Sequence, residues 1–306
     1  MIKNTVIVFI FALVGHGVCA EEQVEPYPWL DTMHQSITSS VNESVLWFDD
    51  FFALEGFDTK EKANGETRIR LGWEPRSRDF SEVKARFKLR VKLPNLKNRV
   101  DVVLSDYDDE SPDDNLLSDV NNNIRERHRV SLALRWQRTP GSGLAYRIGI
   151  GRRLQVFAKS TFRNSVPISD KASLRWETSA YLYSRDGLGA DFAWQYAYKA
   201  TEKSMFRFNN HYYYRDSSND WRWLHSLQKL TQFSEHNALI TGVYVEGLSR
   251  PNYRVEEYLV STRWRKNALR SWLFYEVEPF IVWRRDEHFS ASYGLALRVE
   301  GFFGKP

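Results

Sequence analysis

The sequence predicts an all-β chain, a transmembrane antiparallel β-barrel of about fourteen strands with an N-terminal periplasmic amphipathic helix, and three observations carry that prediction. From Glu66 onward apolar and polar residues alternate with a period of two, the alternating segments run about ten residues, and turn-forming residues separate them. Composition points the same way. Aromatic residues make up 15% of the chain, yet its mean hydropathy is −0.52. A polar chain rich in aromatics lacks the long apolar stretches of a large soluble core. It suits strands that show lipid on one face and water on the other.

Residues 1–20 read as a signal peptide. Lys3 gives a positive start, Val6 to Val14 is an uninterrupted apolar run, and Val18-Cys19-Ala20 before Glu21 fits the small-residue cleavage rule, so cleavage is expected after Ala20. A retained anchor would need roughly 18 or more apolar residues. Lipidation at Cys19 is disfavoured because Gly17-Val18 lacks the small residue that usually precedes a lipidated cysteine. Cys19 is the single cysteine, so the mature chain can hold neither a disulfide nor a thiolate metal site. The net charge of +4 falls by one when Lys3 is removed, which does not suit bulk nucleic-acid binding.

Residues 21–64 form the helical segment and linker. Leu30, Met33, Ile37, Val41, Val45, Phe48 and Phe52 recur at three- or four-residue spacing, one apolar stripe on a helix or two short helices between Trp29 and Phe52. Asp49, Asp50 and Gly56 mark its end, and a charged linker from Asp58 to Gly65 follows. The stripe cannot stay in water. A lumen lined with arginine is a poor host for it, and a helix with Asp31, Glu43, Asp49 and Asp50 but no Lys or Arg does not suit anionic lipid. The expected destinations are the periplasmic rim of the barrel or a periplasmic protein bound at residues 29–52.

Residues 65–306 form the barrel. The clearest strand alternates Val83, Ala85, Phe87, Leu89, Val91 and Leu93 with Lys84, Arg86, Lys88, Arg90 and Lys92. Other apolar rows include Ile69-Leu71-Trp73, Val130-Leu132-Leu134-Trp136, Tyr146-Ile148-Ile150, Phe192-Trp194-Tyr196-Tyr198, Tyr258-Val260 and Tyr293-Leu295-Leu297-Val299, each an expected lipid-facing row beside the outer-membrane lipids. Pro94-Asn95, Pro140-Gly141, Ser169-Asp170, Asp186-Gly187, Ser217-Ser218-Asn219 and Pro251-Asn252 supply turns. Twelve and sixteen strands are the alternative counts. Any even count puts both ends in the periplasm and the longest connection, Tyr107 to Asn123, outside the cell.

Ser292-Tyr293-Gly294-Leu295-Ala296-Leu297-Arg298-Val299 is similar to the polar-x-Gly-x-x-apolar-x-apolar signal read by the barrel-assembly machinery, a partner during biogenesis, although Gly304-Lys305-Pro306 replaces a terminal Phe. The stretch Leu269 to Phe289 around Trp272-Leu273-Phe274-Tyr275-Glu276-Val277-Glu278-Pro279, the segment Trp47-Phe48-Asp49-Asp50-Phe51-Phe52 and the Pro94 turn resemble a family of proteobacterial outer-membrane proteins of unassigned activity. The resemblance implies location and fold only.

If the apolar rows face lipid, the residues between them line the lumen. The basic set is Arg68, Arg70, Lys84, Arg86, Lys88, Arg90, Lys92, Arg129, Arg135, Arg147, Lys159, Arg163, Arg175, Arg207, Arg263, Arg265 and Arg298. The acidic set is Glu177, Asp191, Glu246, Glu276, Glu278 and Glu300. Two readings stay open: a passage that attracts small anions, or ladders of paired charges that brace a closed barrel. Arg86, Lys88, Arg90, Arg135 and Arg175 are the residues expected to line a passage.

The loop acids Asp106, Asp108, Asp109, Glu110, Asp113, Asp114 and Asp119 could offer oxygen ligands to calcium, but their spacing fits no known calcium loop and a solvated loop is the plainer reading. No metal or other cofactor is called for. A lipid-modifying enzyme would need a nucleophile with its base. His211, His225, and His288 beside Ser290 are the only candidates, without a distinguishable third member. The expectation is therefore a non-enzymatic barrel, a narrow porin-like channel for small anionic solutes or a structural barrel that anchors a periplasmic helix to a partner, with no nucleic-acid partner.

Overall fold

A computed structural model of the chain describes residues 29–39, 64–80, 83–93, 100–105, 131–137, 143–151, 154–234, 236–267 and 269–304. A helix, α1, spans residues 29–39. The strands follow as β1 (Asn64–Trp73), β2 (Val83–Leu93), β3 (Val100–Ser105), β4 (Ser131–Gln137), β5 (Leu144–Gly151), β6 (Gln155–Ser169), β7 (Ala172–Tyr183), β8 (Gly187–Thr201), β9 (Ser204–Arg215), β10 (Asp220–Ser234), β11 (Asn237–Leu248), β12 (Arg254–Asn267), β13 (Leu273–Arg284) and β14 (Ala291–Gly304).

Every strand pairs antiparallel with its sequence neighbours, and β1 closes on β14, so the sheet is a closed barrel of 14 strands. Closure removes both sheet edges and satisfies the ladder all the way round. The seam register sets Arg70 opposite Glu300 and Leu71 opposite Val299. Because side chains alternate along a strand, that one alignment fixes which rows of the whole barrel point in and which point out.

The outward rows form an apolar belt. Leu71, Ile148, Leu182, Leu188, Val243 and Leu295 are all exposed, and Trp73, Trp136, Tyr196, Tyr258 and Trp264 supply its aromatics. A patch of this extent is not left in water, and a membrane-spanning barrel presents this surface to lipid. The inward rows are not uniformly polar. Leu224, Tyr244, Leu259 and Val282 pack into a buried cluster inside the barrel, with Phe280 against it. The alternation hides this group, because these inward apolar residues sit between outward ones that are also apolar.

The described helix covers the first part of the predicted stripe, and Val41, Val45, Phe48 and Phe52 lie outside the described residues. Within 29–39, the face turned to the barrel carries Leu30, His34 and Thr38, spaced by four, while Met33 is exposed. The helix therefore does not present Leu30, Met33 and Ile37 as one buried stripe. Polar contacts made by Asp31, His34 and Thr38 decide which face docks, as described below. The signal peptide, the Pro94 turn, the Tyr107–Asn123 connection and Arg129 lie outside the described residues.

Candidate functional site

The interior has two unlike walls. On the first, built from β10–β14 and β1, buried glutamates pair with arginines, three of them with more than one. Glu300 has no solvent exposure and pairs with Arg68, with Arg265 Nη2 at 2.7 Å and with Arg70 Nε at 3.8 Å. Glu276 accepts from Arg265 Nη1 at 2.5 Å and from Arg70 Nη2 at 2.9 Å. Glu278 accepts from Arg263 Nε at 3.0 Å and from Arg298. Glu74, just past the end of β1, receives Arg298 Nε at 2.8 Å and Lys84 Nζ at 2.6 Å. Glu246 with Arg222, and Glu257 with Arg284 at 2.8 Å, continue the pattern toward the opposite end of β11 and β12. Ions so deprived of water are tolerable only when each meets opposite charge, which an alternating lattice of arginine and glutamate supplies.

The second wall, β2–β9, has the same basic residues with far fewer acids. Arg86, Lys88, Arg90, Arg135, Arg147, Lys159, Arg163, Arg175 and Arg207 all lie on inward rows by register. Among the described residues of those strands, only Asp101, Glu177 and Asp191 supply inward carboxylates. Asp101 pairs with Arg90 Nη2 at 2.7 Å and Arg135 Nη1 at 3.4 Å, and Glu177 with Arg163 Nε at 2.5 Å. Asp191 is 2.8 Å from His211 Nε2. A strip of neutral groups separates the walls on one side, where Gln195 Nε2 donates to Asn209 Oδ1 at 2.7 Å and Asn209 Nδ2 donates to Ser226 Oγ at 3.0 Å.

At the end of the barrel where β1 begins and β14 ends, the lumen opens into a cavity of about 370 Å³ between β8 and β13. Met205, Leu230, Ile240 and Phe274 form its apolar floor, and Lys199, Lys203 and Arg265 contribute cations. Arg265 does two things at once, since its guanidinium carbon also lies 4.4 Å from the Phe274 ring centroid while its nitrogens hold Glu276 and Glu300.

The structure brings Arg68, Arg70, Arg263, Arg265, Arg298, Glu276, Glu278 and Glu300 into one connected network, whereas Glu177 lies apart from it on the basic wall. Several inward residues escaped the sequence reading: Arg222, Glu257, Arg284 and Glu74 on the braced wall and Asp101 on the basic one. Asp101 lies in β3, a strand of six residues, too short for its alternation to stand out between Val100 and Val102. Glu74 is found only through the closing of β14 onto β1, which no local pattern reveals. The three histidines are dispersed. His211 points inward to Asp191, His225 points outward and bonds Asn210, and His288 ends a 3-10 turn at Arg285–Glu287.

No family model matches the sequence, and a search of curated proteins found no match. Among solved structures, the chain is similar in architecture to outer-membrane barrels. A bacterial polysaccharide outer membrane secretin matches at 8% identity and TM-score 0.48, covering 81% of this chain and 100% of that one. The outer membrane channel DcaP of Acinetobacter baumannii matches at 10% identity and TM-score 0.46, covering 82% and 100%. The KdgM porin, solved in complex with disordered oligogalacturonate, matches at 8% and 0.37, covering 77% and 98%. At such identities the character of the interior rests on this chain's own side chains.

Proposed function

We propose that this chain is a non-enzymatic outer-membrane β-barrel that passes small anionic solutes along its basic wall, with the ion-paired wall acting as a rigid brace. The observation that carries the reading is the uneven division of charge among the described residues: the inward glutamates are concentrated on β10–β14 and β1, whereas on β2–β9 inward basic residues outnumber inward carboxylates. Fixed positive charge on one wall of a low-dielectric tube concentrates anions and excludes cations, and the inward cluster around Leu224 and Val282 narrows the path. The apolar outer belt and the closed ladder support placement in a membrane, with both termini on the periplasmic side.

The same buried lattice favours a second reading, a sealed barrel with a structural or anchoring role. Current through purified protein in a planar bilayer under a salt gradient separates the two. The channel reading expects a reversal potential of the sign set by anion flow. Absence of current, or preference for cations, would overturn it.

A further inference from the structure

We propose that helix α1 is an interfacial latch, clasped on the lipid-facing side of the β1–β14 seam and seated in the periplasmic leaflet through Trp29 and Met33. The inference rests on the membrane-barrel reading above.

Register decides which side of the wall the helix occupies. Arg298 and Glu300 point inward, so Val299, Gly301 and Phe303 point outward, as do Thr67 and Leu71 on β1. Further along, these outward rows are exposed, with Val299 at 42% and Leu71 at 56%. One step nearer the termini the exposure collapses, to 4% at Phe303 and 7% at Thr67, and the outward Leu273 of β13 is at 5%. Something covers the outside of the seam there. His34 of α1 stacks on Trp272 at 4.4 Å and on Phe303 at 5.2 Å. The wall is shaped to receive these rings, because a Cβ on Gly301 would lie 2.9 Å from the Phe303 ring.

Polar contacts fix the helix in place. His34 Nε2 is 3.0 Å from the Phe302 carbonyl, to which it can only donate. Asp31 accepts both Arg270 Nε and Nη2 at 2.6 Å, a bidentate clasp onto the β12–β13 turn. Gly304 N lies 3.5 Å from Thr38 Oγ1 at the far end of the helix. Leu30 is buried, and the groups at 30, 31, 34 and 38 lie along one face.

This placement settles what the exposed side meets. A helix on the outer wall, in line with the apolar belt and at the end of the strands, sits at headgroup depth. There Trp29 and Met33, one turn apart and both exposed, face the leaflet, and tryptophan is the side chain most suited to that boundary. Basic residues are absent from 29–39, so the partner chemistry is zwitterionic rather than anionic lipid. The latch would hold the strand pair on which closure depends.

The test is depth-resolved quenching. The full chain is placed in zwitterionic phosphatidylcholine vesicles whose acyl chains carry bromine either near the headgroup or near the chain ends, and the parent is compared with Trp29→Phe. The belt tryptophans serve as the internal control, since their quenching reports insertion of the barrel. The proposal expects the parent-minus-variant signal to be quenched more strongly by the shallow bromine, by twofold or more. If the belt is quenched while the Trp29 contribution is untouched at both depths, the helix lies in water, in the lumen or on another protein, and the proposal is wrong. If the belt is not quenched either, the membrane reading fails with it. Arg270→Ala serves as a second variant that leaves Trp29 in place, and it should weaken the shallow quenching. Unchanged quenching would overturn the assigned clasp.

Discussion

Arginine has opposite surroundings in the two halves of this barrel's interior. On β10–β14 and β1 the inward arginines of the network meet buried glutamates, and Glu276, Glu278 and Glu300 each serve at least two. On β2–β9 the same residue type has fewer acids near it: among the described residues the inward carboxylates are Asp101, Glu177 and Asp191. The residue does not determine its role. What it does depends on the carboxylates that the closed sheet brings across from neighbouring strands, and these are many on one side and few, among the described residues, on the other.

The largest expected effect is on the braced wall. Glu300→Leu removes the buried acceptor shared by Arg68 and Arg265, both largely shielded from water, and leaves Arg68 without it. Breaking a buried pair from one side costs about 3–5 kcal/mol. Urea unfolding of the detergent- or lipid-folded barrel should show that loss, and a change below about 1 kcal/mol would mean the lattice is not the brace it is taken to be. The next effect contrasts the two faces of one strand on the basic wall. Phe87→Asp puts charge on the lipid side, where a basic residue costs about 2–4 kcal/mol and an acid less, whereas Lys88→Asp exchanges one inward charge for another. Heat-modifiable folded protein should fall for the first and persist for the second, and equal yields would break the inward and outward assignment.

These tests separate what the sequence could show from what it could not. The period of two in β2, β5, β8 and β14 made the strands, the closed antiparallel sheet and the direction of most side chains legible, because alternation is a local property. Partnership is not local. Arg70 meets Glu276 and Arg68 meets Glu300 across more than two hundred residues of chain, so a list of inward arginines could not say which were paired. The apolar inward cluster was hidden for a related reason, since Leu259 lies between Tyr258 and Val260 and reads as one more apolar residue of a lipid-facing strand. For α1, Leu30 is buried and Met33 exposed, because His34 and Asp31 found polar partners on the barrel that no helical period encodes.

A smaller effect should appear at the outside of the braced wall. Arg270 beside Asp31 holds that carboxyl below its usual pKa of 3.8, and Asp31 in turn raises Arg270. A lowered carboxylate pKa means the clasp contributes fully above the ordinary value and is lost as pH falls through the depressed one. Cleavage of α1 by an acid-active protease should therefore increase on strong acidification in the parent. Asp31→Asn should already be cleaved readily at neutral pH and change little with acid. A pH response as steep in Asp31→Asn as in the parent would remove Asp31 from the clasp.

The division of the lumen is tested most directly by ion selectivity at low salt, where fixed charge is least screened. Reversal potentials would be compared for the parent, for Arg86→Gln with Lys88→Gln and Arg90→Gln on the basic wall, and for Arg263→Met with Glu278→Leu on the braced wall. The paired change removes one charge of each sign, and such replacements are often tolerated. The account predicts that the basic-wall variant loses most of its preference for anions and that raising salt shrinks the difference, while the braced-wall variant keeps the selectivity of the parent. Selectivity unchanged by the basic-wall substitutions, or shifted as much by the paired change, would contradict it.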